Sequence, residues 1–468
     1  MKRRTKIVCT LGPATGTREK IKELIAAGMN VARLNCSHGD WEVKHQWVKW
    51  IRELSPEVSP VAILADLQGP KFRIGEFANG MIEVKVGDSL TLAQADAEIV
   101  VPGDEIFEAM TVGDRLLMGD GEVELKLQSR SGDTFCAKVM TGGKVKSRQG
   151  VTLVGKSFAV PSLNDKDEDD IFEACKAGVD YIALSYVRRA SDLRELRRIT
   201  EQYDSSVRLC AKIETKQALK EIEDILQVSD LIMVARGDLG LQMDLEDVPL
   251  AQKTIIAKCA HAGKPVITAT QMLESMVQNA RPTRAEATDV ANAILDGTDA
   301  VMLSGETASG AYPIEAVRTM ARIAEKAETV FDHSERMENF NQSLNGKDLT
   351  TEGVAHAAVQ LAKILKAKAI VTTTSSGQTP RLVSKFRPKC PVYCASWSEK
   401  THAQNAVLWG VETIFSPLGT TSDDSIHNAV NALLRAKKVK LGDTVVITAG
   451  VPAGKPGNTN LILVETIK

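Results

Sequence analysis

Hydrophobic and polar positions along the chain fall into a repeat. Four segments run from a helical stretch through a glycine into a short apolar run that ends on a polar residue. They pass from Gly28 to Asn35, Gly178 to Ser185, Gly263 to Thr270 and Gly297 to Ser304, with the polar residue seven positions after the glycine each time. Glycine supplies the left-handed turn that stops a helix. A nearly continuous apolar run is the pattern of a parallel strand covered on both faces. The polar residue then stands at the C-terminal end of that strand. Further strands of the same texture are predicted over 5–10, 61–65, 207–212 and 231–235. Helices fill the intervals. Thr17 caps one whose apolar face is Ile21, Leu24 and Ile25, and the stripe Ala287, Val290, Ala291 and Ile294 marks another. Eight such strands predict a (β/α)8 TIM barrel in preference to an open doubly wound sheet, whose local pattern is the same. A barrel of this kind builds its active site from the strand C-termini.

The repeat is interrupted after the third strand. From 70 to 160, glycine–aspartate pairs such as Gly87-Asp88, Gly103-Asp104, Gly113-Asp114 and Gly132-Asp133 alternate with segments of period-two hydrophobicity. This predicts an inserted β lid, a small β-barrel entered at the hinge Gln68-Gly69-Pro70. A polar stretch at 334–350 marks a second boundary. Beyond it, a helix over 352–366, strands near 369–373, 392–395 and 444–448, and a Gly/Pro-rich loop over 450–460 predict a C-terminal α/β domain. The expected division is therefore 1–69 with 161–335 for the barrel, 70–160 for the lid and 345–468 for the third domain.

Composition narrows the partners. The 468 residues carry 58 basic and 60 acidic side chains, a net charge of -2, which argues against a nucleic-acid binder. Apolar runs fall far short of the roughly 18 residues of a membrane span, and no apolar core follows the basic N-terminus as a secretion signal requires. Eight sparsely placed cysteines without zinc spacing fit reduced thiols in a cytoplasmic protein.

The strand ends carry the chemistry. Alternation along Lys212-Ile213-Glu214 puts an ammonium and a carboxylate on the same side of one strand, facing the barrel axis or its mouth, where they are costly unless used. Arg236-Gly237-Asp238-Leu239-Gly240 adds a second carboxylate and lets backbone approach a ligand. Two carboxylates with room for water and substrate oxygens suit Mg2+ or Mn2+. With Lys212 and Arg33 they make a phosphoryl-transfer set without a Walker lysine loop or a kinase glycine loop.

These residues bear a resemblance. Lys6-Ile-Val-Cys-Thr-Leu-Gly-Pro-Ala-Thr15, Asn30-Val-Ala-Arg-Leu-Asn-Cys-Ser-His-Gly39, Lys212-Ile-Glu214, Met233-Val-Ala-Arg-Gly-Asp-Leu-Gly240, Ala269-Thr-Gln-Met-Leu-Glu-Ser275, Arg281-Pro-Thr-Arg-Ala-Glu286 and Met302-Leu-Ser-Gly-Glu-Thr307 occur in order. Along essentially its whole length the sequence resembles the pyruvate kinase family. The resemblance implies transfer of the phosphoryl group of phosphoenolpyruvate to ADP, giving pyruvate and ATP, the last step of glycolysis. It implies that Arg33, Lys212 and Thr270 act on the substrate, with Gly237 and Asp238 positioning it, and that Glu214 and Asp238 hold the divalent metal. Asn35, Cys36, Ser37, His38, Arg73 and Asp120 match nucleotide-side positions. A homotetramer is a further family expectation.

Two departures stand out. Gln149, preceded by Arg148, occupies a position where many relatives have lysine, so a lid contact to ADP is lost or moved to Arg148. Asn35, Ser37, Asp66 and the carbonyl of Leu67 match the family's monovalent-cation site. Leu67, Gln68 and Lys71 replace the residues of the potassium-dependent pattern, so the Lys71 ammonium is expected to take the place of K+. In the third domain Thr372, Thr373, Thr374, Ser375, Ser376 and Gly377 follow a strand and precede a helix, where amides and hydroxyls cradle a phosphate or simply cap a turn. In the family this position takes sugar-phosphate or nucleotide effectors, although Gln378 stands where many relatives have a cation. Two other readings stay open at this point. One is a different phosphoenolpyruvate- or pyruvate-handling barrel enzyme, of aldolase or mutase type, without nucleotide. The other is a non-catalytic metabolite sensor.

Overall fold

The computed structural model describes residues 3–70, 72–156, 160–331, 349–451 and 459–468. Strands β1 (Lys6–Thr10), β2 (Val31–Asn35) and β3 (Ala62–Asp66) open a barrel. An insertion then contributes β4 (Met81–Val84), β5 (Ser89–Ala93), β6 (Ile99–Val100), β7 (Arg115–Met118), β8 (Val123–Ser131), β9 (Thr134–Thr141), β10 (Gly143–Lys146) and β11 (Val151–Leu153). The barrel resumes with β12 (Tyr181–Leu184), β13 (Arg208–Ile213), β14 (Leu231–Ala235), β15 (Val266–Ala269) and β16 (Ala300–Leu303), all parallel, and closes where β1 pairs β16. The sheet is therefore the closed barrel and not the open alternative.

The glycine of each repeat does what its conformation requires. Gly178, Gly263 and Gly297 end their helices at φ of 75, 62 and 94°. Thr17 caps the helix Arg18–Ala27 by accepting the Lys20 amide. The stripe of the helix Arg284–Asp296 is displaced from the expected one: Val290, Ala293 and Ile294 enter the core, whereas Ala287 and Ala291 are half-buried. One apolar layer lies between strands and helices, with Ile7, Ile21, Leu24, Ile63, Ile182 and Val234. A second fills the barrel with Val8, Leu64, Tyr181, Met233 and Ile267 and runs on into Val383, Phe386 and Val407 of the third domain.

The lid is a six-stranded sheet, β11-β7-β8-β9-β5-β6, with the β10-β4 ribbon folded onto the same core of Val84, Leu92, Leu116, Leu125, Phe135 and Val145. At Gly103-Asp104, where the sequence predicts a turn, a short helix Asp104–Ala109 packs Ile106 and Phe107 into that core. Outward and return legs of the insertion are clamped together. Gly69 donates its amide to Asp167 Oδ1 at 3.1 Å, and Asp167 completes the capping box of the helix Asp165–Ala177.

The third domain orders its strands β19 (Val411–Phe415), β18 (Val392–Ser396), β17 (Ala369–Thr373), β20 (Thr444–Gly450) and β21 (Thr459–Thr466). The edge strand β21 is antiparallel, so Thr459 and Asn460 are strand and not loop. The boundary region 332–348, residues 452–458 of the expected loop, and Lys71 lie outside the described residues. The domain seats on the N-terminal end of the barrel: Arg387 Nη1 pairs with Asp299 at 2.7 Å, and the Tyr181 hydroxyl donates to the Gln404 carbonyl at 2.6 Å. Among the described residues all eight cysteines are free, six of them buried, and no helix is long and apolar enough to cross a membrane.

The hinge is tight as well as clamped. Gly69 holds φ 66°, and a Cβ there would stand 3.0 Å from Ser185 Cβ. Gly80 is equally left-handed, at φ 75°, but faces open space. Gly80→Ala should cost about 1 kcal/mol for backbone strain alone. Gly69→Ala should cost at least about 1 kcal/mol more, because the backbone or Ser185 must also shift. Urea midpoints of the two variants check the difference.

Candidate active site

At the C-terminal end of the barrel three strands bring their charged residues to one carboxylate. Asp66 closes β3 and is buried, 1% exposed. Its Oδ2 accepts Arg33 Nε of β2 at 2.7 Å and lies 2.6 Å from Arg33 Nη2, a two-pronged contact. Its Oδ1 lies 3.2 Å from Lys212 Nζ of β13. Thr10 of β1 accepts Arg33 Nη1 at 3.1 Å. Burial pushes the Asp66 carboxyl up, but Lys212 and Arg33 together outweigh it and hold it below the ordinary carboxylate range.

Lys212 and Glu214 share the inner side of their strand, as alternation requires. Lys212 Nζ donates to Ser185 Oγ at 2.7 Å and pairs with Glu214 Oε1 at 2.9 Å. Ser185 Oγ passes the chain of bonds on to the Leu67 carbonyl at 2.7 Å. Burial works against the ammonium, but Asp66, Glu214 and Asp238 overcome it, so Lys212 stays charged. Glu214 is pushed up to about 7 by burial, with Asp238 adding to the shift and Lys212 opposing it. Glu214 thus faces a second carboxylate, Asp238, whose charge opposes its own ionisation even with Lys212 beside it. A divalent cation relieves such repulsion, and two hard carboxylates are its preferred ligands. Among the described residues no group of three or more Asp, Glu, His and Cys is assembled to hold a metal, so water and substrate oxygens would supply the other ligands.

The loop after β14 forms the next wall. Arg236 opens the helix Arg236–Gln242, pairs with Asp289 at 2.8 Å and donates to the Thr270 carbonyl at 2.8 Å. Thr270 is thereby held at φ 69°, a conformation that a β-branched residue rarely adopts. Its Oγ1 accepts the Gly237 amide at 2.7 Å and donates to the Ala269 carbonyl at 2.6 Å. Arg33, Lys212, Glu214, Gly237, Asp238 and Thr270 therefore all stand at the mouth. Glu306, another strand-end carboxylate, is consumed structurally by the amides of Leu273 and Ser304.

The nucleotide-side residues are more scattered. Asn35 Oδ1 accepts the Ser37 amide at 3.1 Å, and the Cys36 amide donates to the Asp66 carbonyl at 2.9 Å. The Cys36 thiol is buried, which pushes it up and makes it a packing group. His38 is exposed, and its carbonyl accepts Lys44 Nζ at 2.8 Å. On the lid, Arg73 is exposed and donates to the Arg148 carbonyl at 2.9 Å, and Arg148 pairs with Glu76. The Gln149 amide donates to Glu122 at 3.0 Å, so this position braces the lid turn that carries Asp120. That turn lies over the barrel: a Cβ on Gly121 would stand 3.2 Å from Leu241.

In the third domain Thr374 Oγ1 accepts the Gly377 amide at 3.0 Å, and Ser375 and Ser376 turn their carbonyls to Thr401 and Arg208. Thr373 and Ser376 are half-buried at the loop between β17 and the helix Gln378–Lys385. This phosphate-cradle candidate stands at the opposite end of the barrel from Lys212, because Arg208 begins the strand that Lys212 nearly ends.

Sequence reasoning missed Thr10 and Tyr186, and it gave Asp66 too small a part. Tyr186 donates its amide to Glu214 Oε2 at 2.6 Å. No residue-type signal marks a backbone donor. Asp66 was assigned to the cation site alone, since its contacts with β2 and β13 exist only once the barrel closes.

The chain and its fold have counterparts among known proteins. The family model "Pyruvate kinase, barrel domain" matches residues 2–317, and "Pyruvate kinase, alpha/beta domain" matches 352–465. A pyruvate kinase of Geobacillus stearothermophilus is 44% identical over 480 residues, covering 100% of this chain and 81% of its own. One of Sporosarcina psychrophila is 41% identical, covering 99% and 80%. The crystal structure of a pyruvate kinase from Cryptosporidium parvum superposes with a TM-score of 0.93 at 36% identity, covering 100% of this chain and 96% of that one. The matched fold and the length of chain it covers establish that this protein belongs to the pyruvate kinase family.

Proposed function

We propose that this chain moves the phosphoryl group of phosphoenolpyruvate to ADP and releases pyruvate and ATP. The observation that carries the reading is the buried Lys212 ammonium, held between Asp66, Glu214 and Ser185 at the top of the barrel. Phosphoryl transfer asks a protein mainly for fixed positive charge and alignment. Arg33 and Lys212 supply that charge from two sides, and Asp66 keeps both guanidinium and ammonium in place. Lys212 meets the phosphoryl group in flight and then the enolate oxygen left behind. Glu214 and Asp238 would hold Mg2+ or Mn2+, which when bound draws electron density from substrate oxygens. The Gly237 amide and Asp238 orient the substrate carboxylate. Thr270 Oγ1 turns from the Ala269 carbonyl to help deliver, with water, the proton that converts enolpyruvate into pyruvate. Asn35, Cys36, Ser37, His38, Arg73 and Asp120 line the nucleotide side.

A coupled assay with phosphoenolpyruvate, ADP and Mg2+ should show pyruvate formation. Lys212→Met should reduce kcat by several orders of magnitude with little change in KM, as expected for a group that acts mainly in the transition state. A loss of less than tenfold would remove Lys212 from this role.

K+ is not required in this reading. Three of the four candidate ligands already have an internal partner: Asn35 Oδ1 accepts the Ser37 amide, Asp66 pairs with Arg33 and Lys212, and the Leu67 carbonyl accepts the Ser185 hydroxyl. The Lys71 ammonium is assigned to supply the missing charge. At constant ionic strength, replacing KCl by tetramethylammonium chloride should leave turnover within about twofold, against strong activation if K+ is needed.

The loop of Thr373, Thr374, Ser375, Ser376 and Gly377 is assigned to a phosphorylated effector, a sugar phosphate or nucleotide. Thr374→Ala removes the acceptor of the Gly377 amide. It should weaken activation by such effectors at subsaturating phosphoenolpyruvate, read as a rise in the half-activating concentration. The proposal includes a cytoplasmic homotetramer, the expectation that the family resemblance supports.

A further inference from the structure

Two lysines are spent on one loop. The segment 36–39 follows β2 and carries residues assigned to the nucleotide side. Lys44, in the first turns of the helix Trp41–Val58, is buried, 2% exposed. Its Nζ donates to the His38 carbonyl at 2.8 Å and to the Gly39 carbonyl, and stands 5.6 Å from the centre of the Trp41 ring. Among the described residues no carboxylate lies within ion-pair distance of it. Lys166 stands in the first turn of the helix Asp165–Ala177. Its Nζ donates to the Cys36 carbonyl at 2.7 Å and pairs with Asp170 at 2.5 Å. Asp170 in turn accepts the Trp41 indole N–H at 2.7 Å, which closes the network between the two helices. Burying an ammonium is costly, and neutral carbonyls alone repay little of that cost.

Peptide geometry fixes what the loop shows on its other side. In a planar trans peptide the N–H points opposite to the C=O. The Ser37 amide therefore points away from Lys166, and it reaches Asn35 Oδ1 at 3.1 Å. The amides of Gly39 and Asp40 point away from Lys44, and among the described residues neither has an internal partner. Successive amides left free on one side of a turn attract anions.

We propose that Lys44 and Lys166 are positioning residues for the nucleotide: by taking the carbonyls of Cys36, His38 and Gly39, they hold the loop with its free amides turned outward as donors to the phosphate oxygens of a nucleoside diphosphate. Lys44 adds a charge that no paired carboxylate cancels. Lys166 adds geometry alone, since Asp170 neutralises it.

The inference rests on the reading of segment 36–39 as the nucleotide side. Lys44→Met and Lys166→Met keep most of each stem and lose the ammonium group, and both are made in the full chain. ADP binding is read by isothermal titration calorimetry with Mg2+ and no phosphoenolpyruvate, so the result does not depend on turnover. Loss of hydrogen bonds from a charged group should weaken ADP binding about tenfold in Lys44→Met and about threefold in Lys166→Met. In the steady state the same losses should appear as a higher KM for ADP, while KM for phosphoenolpyruvate moves by less than about twofold. Lys44→Met binding ADP within about twofold of the parent would overturn the inference, as would equal losses for ADP and phosphoenolpyruvate, the mark of general loosening. If Lys44→Met does not fold, Lys166→Met decides by the same criteria. A parent that binds no ADP would overturn the nucleotide reading itself.

Discussion

A single buried carboxylate organises this protein. Asp66 takes the Arg33 guanidinium on one oxygen and approaches the Lys212 ammonium with the other. Removing three charges from water is costly, and the cost is tolerable only when geometry and partners are complete. That completeness requires β2, β3 and β13 to end at the same height, which a closed barrel with parallel register enforces and an open sheet would not. Two cations kept charged in a dry place are what an incoming phosphoryl group needs, since preorganised charge requires no rearrangement at the moment of reaction.

The two ends of the same strands then divide the labour. Ser185 and Lys212 stand near the upper ends of β12 and β13, whose lower ends are Tyr181 and Arg208. Tyr181 is tied to the Gln404 carbonyl, and Arg208 to the Ser376 carbonyl beside the proposed effector loop. The active-site residues and the seat of the third domain are therefore opposite ends of the same buried strands. The lid is joined to the upper ends through the clamped hinge at Gly69, and Tyr186 and Thr152 line the cleft between the two.

Much of this was legible in the chain. The glycine at each helix end and the polar residue seven positions later placed Asn35, Ser185, Thr270 and Ser304 at strand ends, because helix stops and strand burial are local properties. Alternation put Lys212 and Glu214 on one side for the same reason. The displaced stripe of the helix Arg284–Asp296 and the strand at Thr459 were not legible. A helix of mixed Ala and Val residues has several equally apolar faces, and an edge strand takes its conformation from the neighbour that pairs with it.

The sequence by itself determined the barrel's alternation of helices and strands, the three-part division and the identity of the charged residues, since all of these follow from periodicity, turn chemistry and residue type. Only the tertiary structure decided that Asp66 is the shared partner of Arg33 and Lys212, that Glu306 is spent on backbone amides, and that the Tyr186 amide donates to Glu214. Those pairings join residues between 28 and 146 positions apart along the chain, apart from the Glu306 amides, and are made by strand closure and domain docking, which no local pattern encodes.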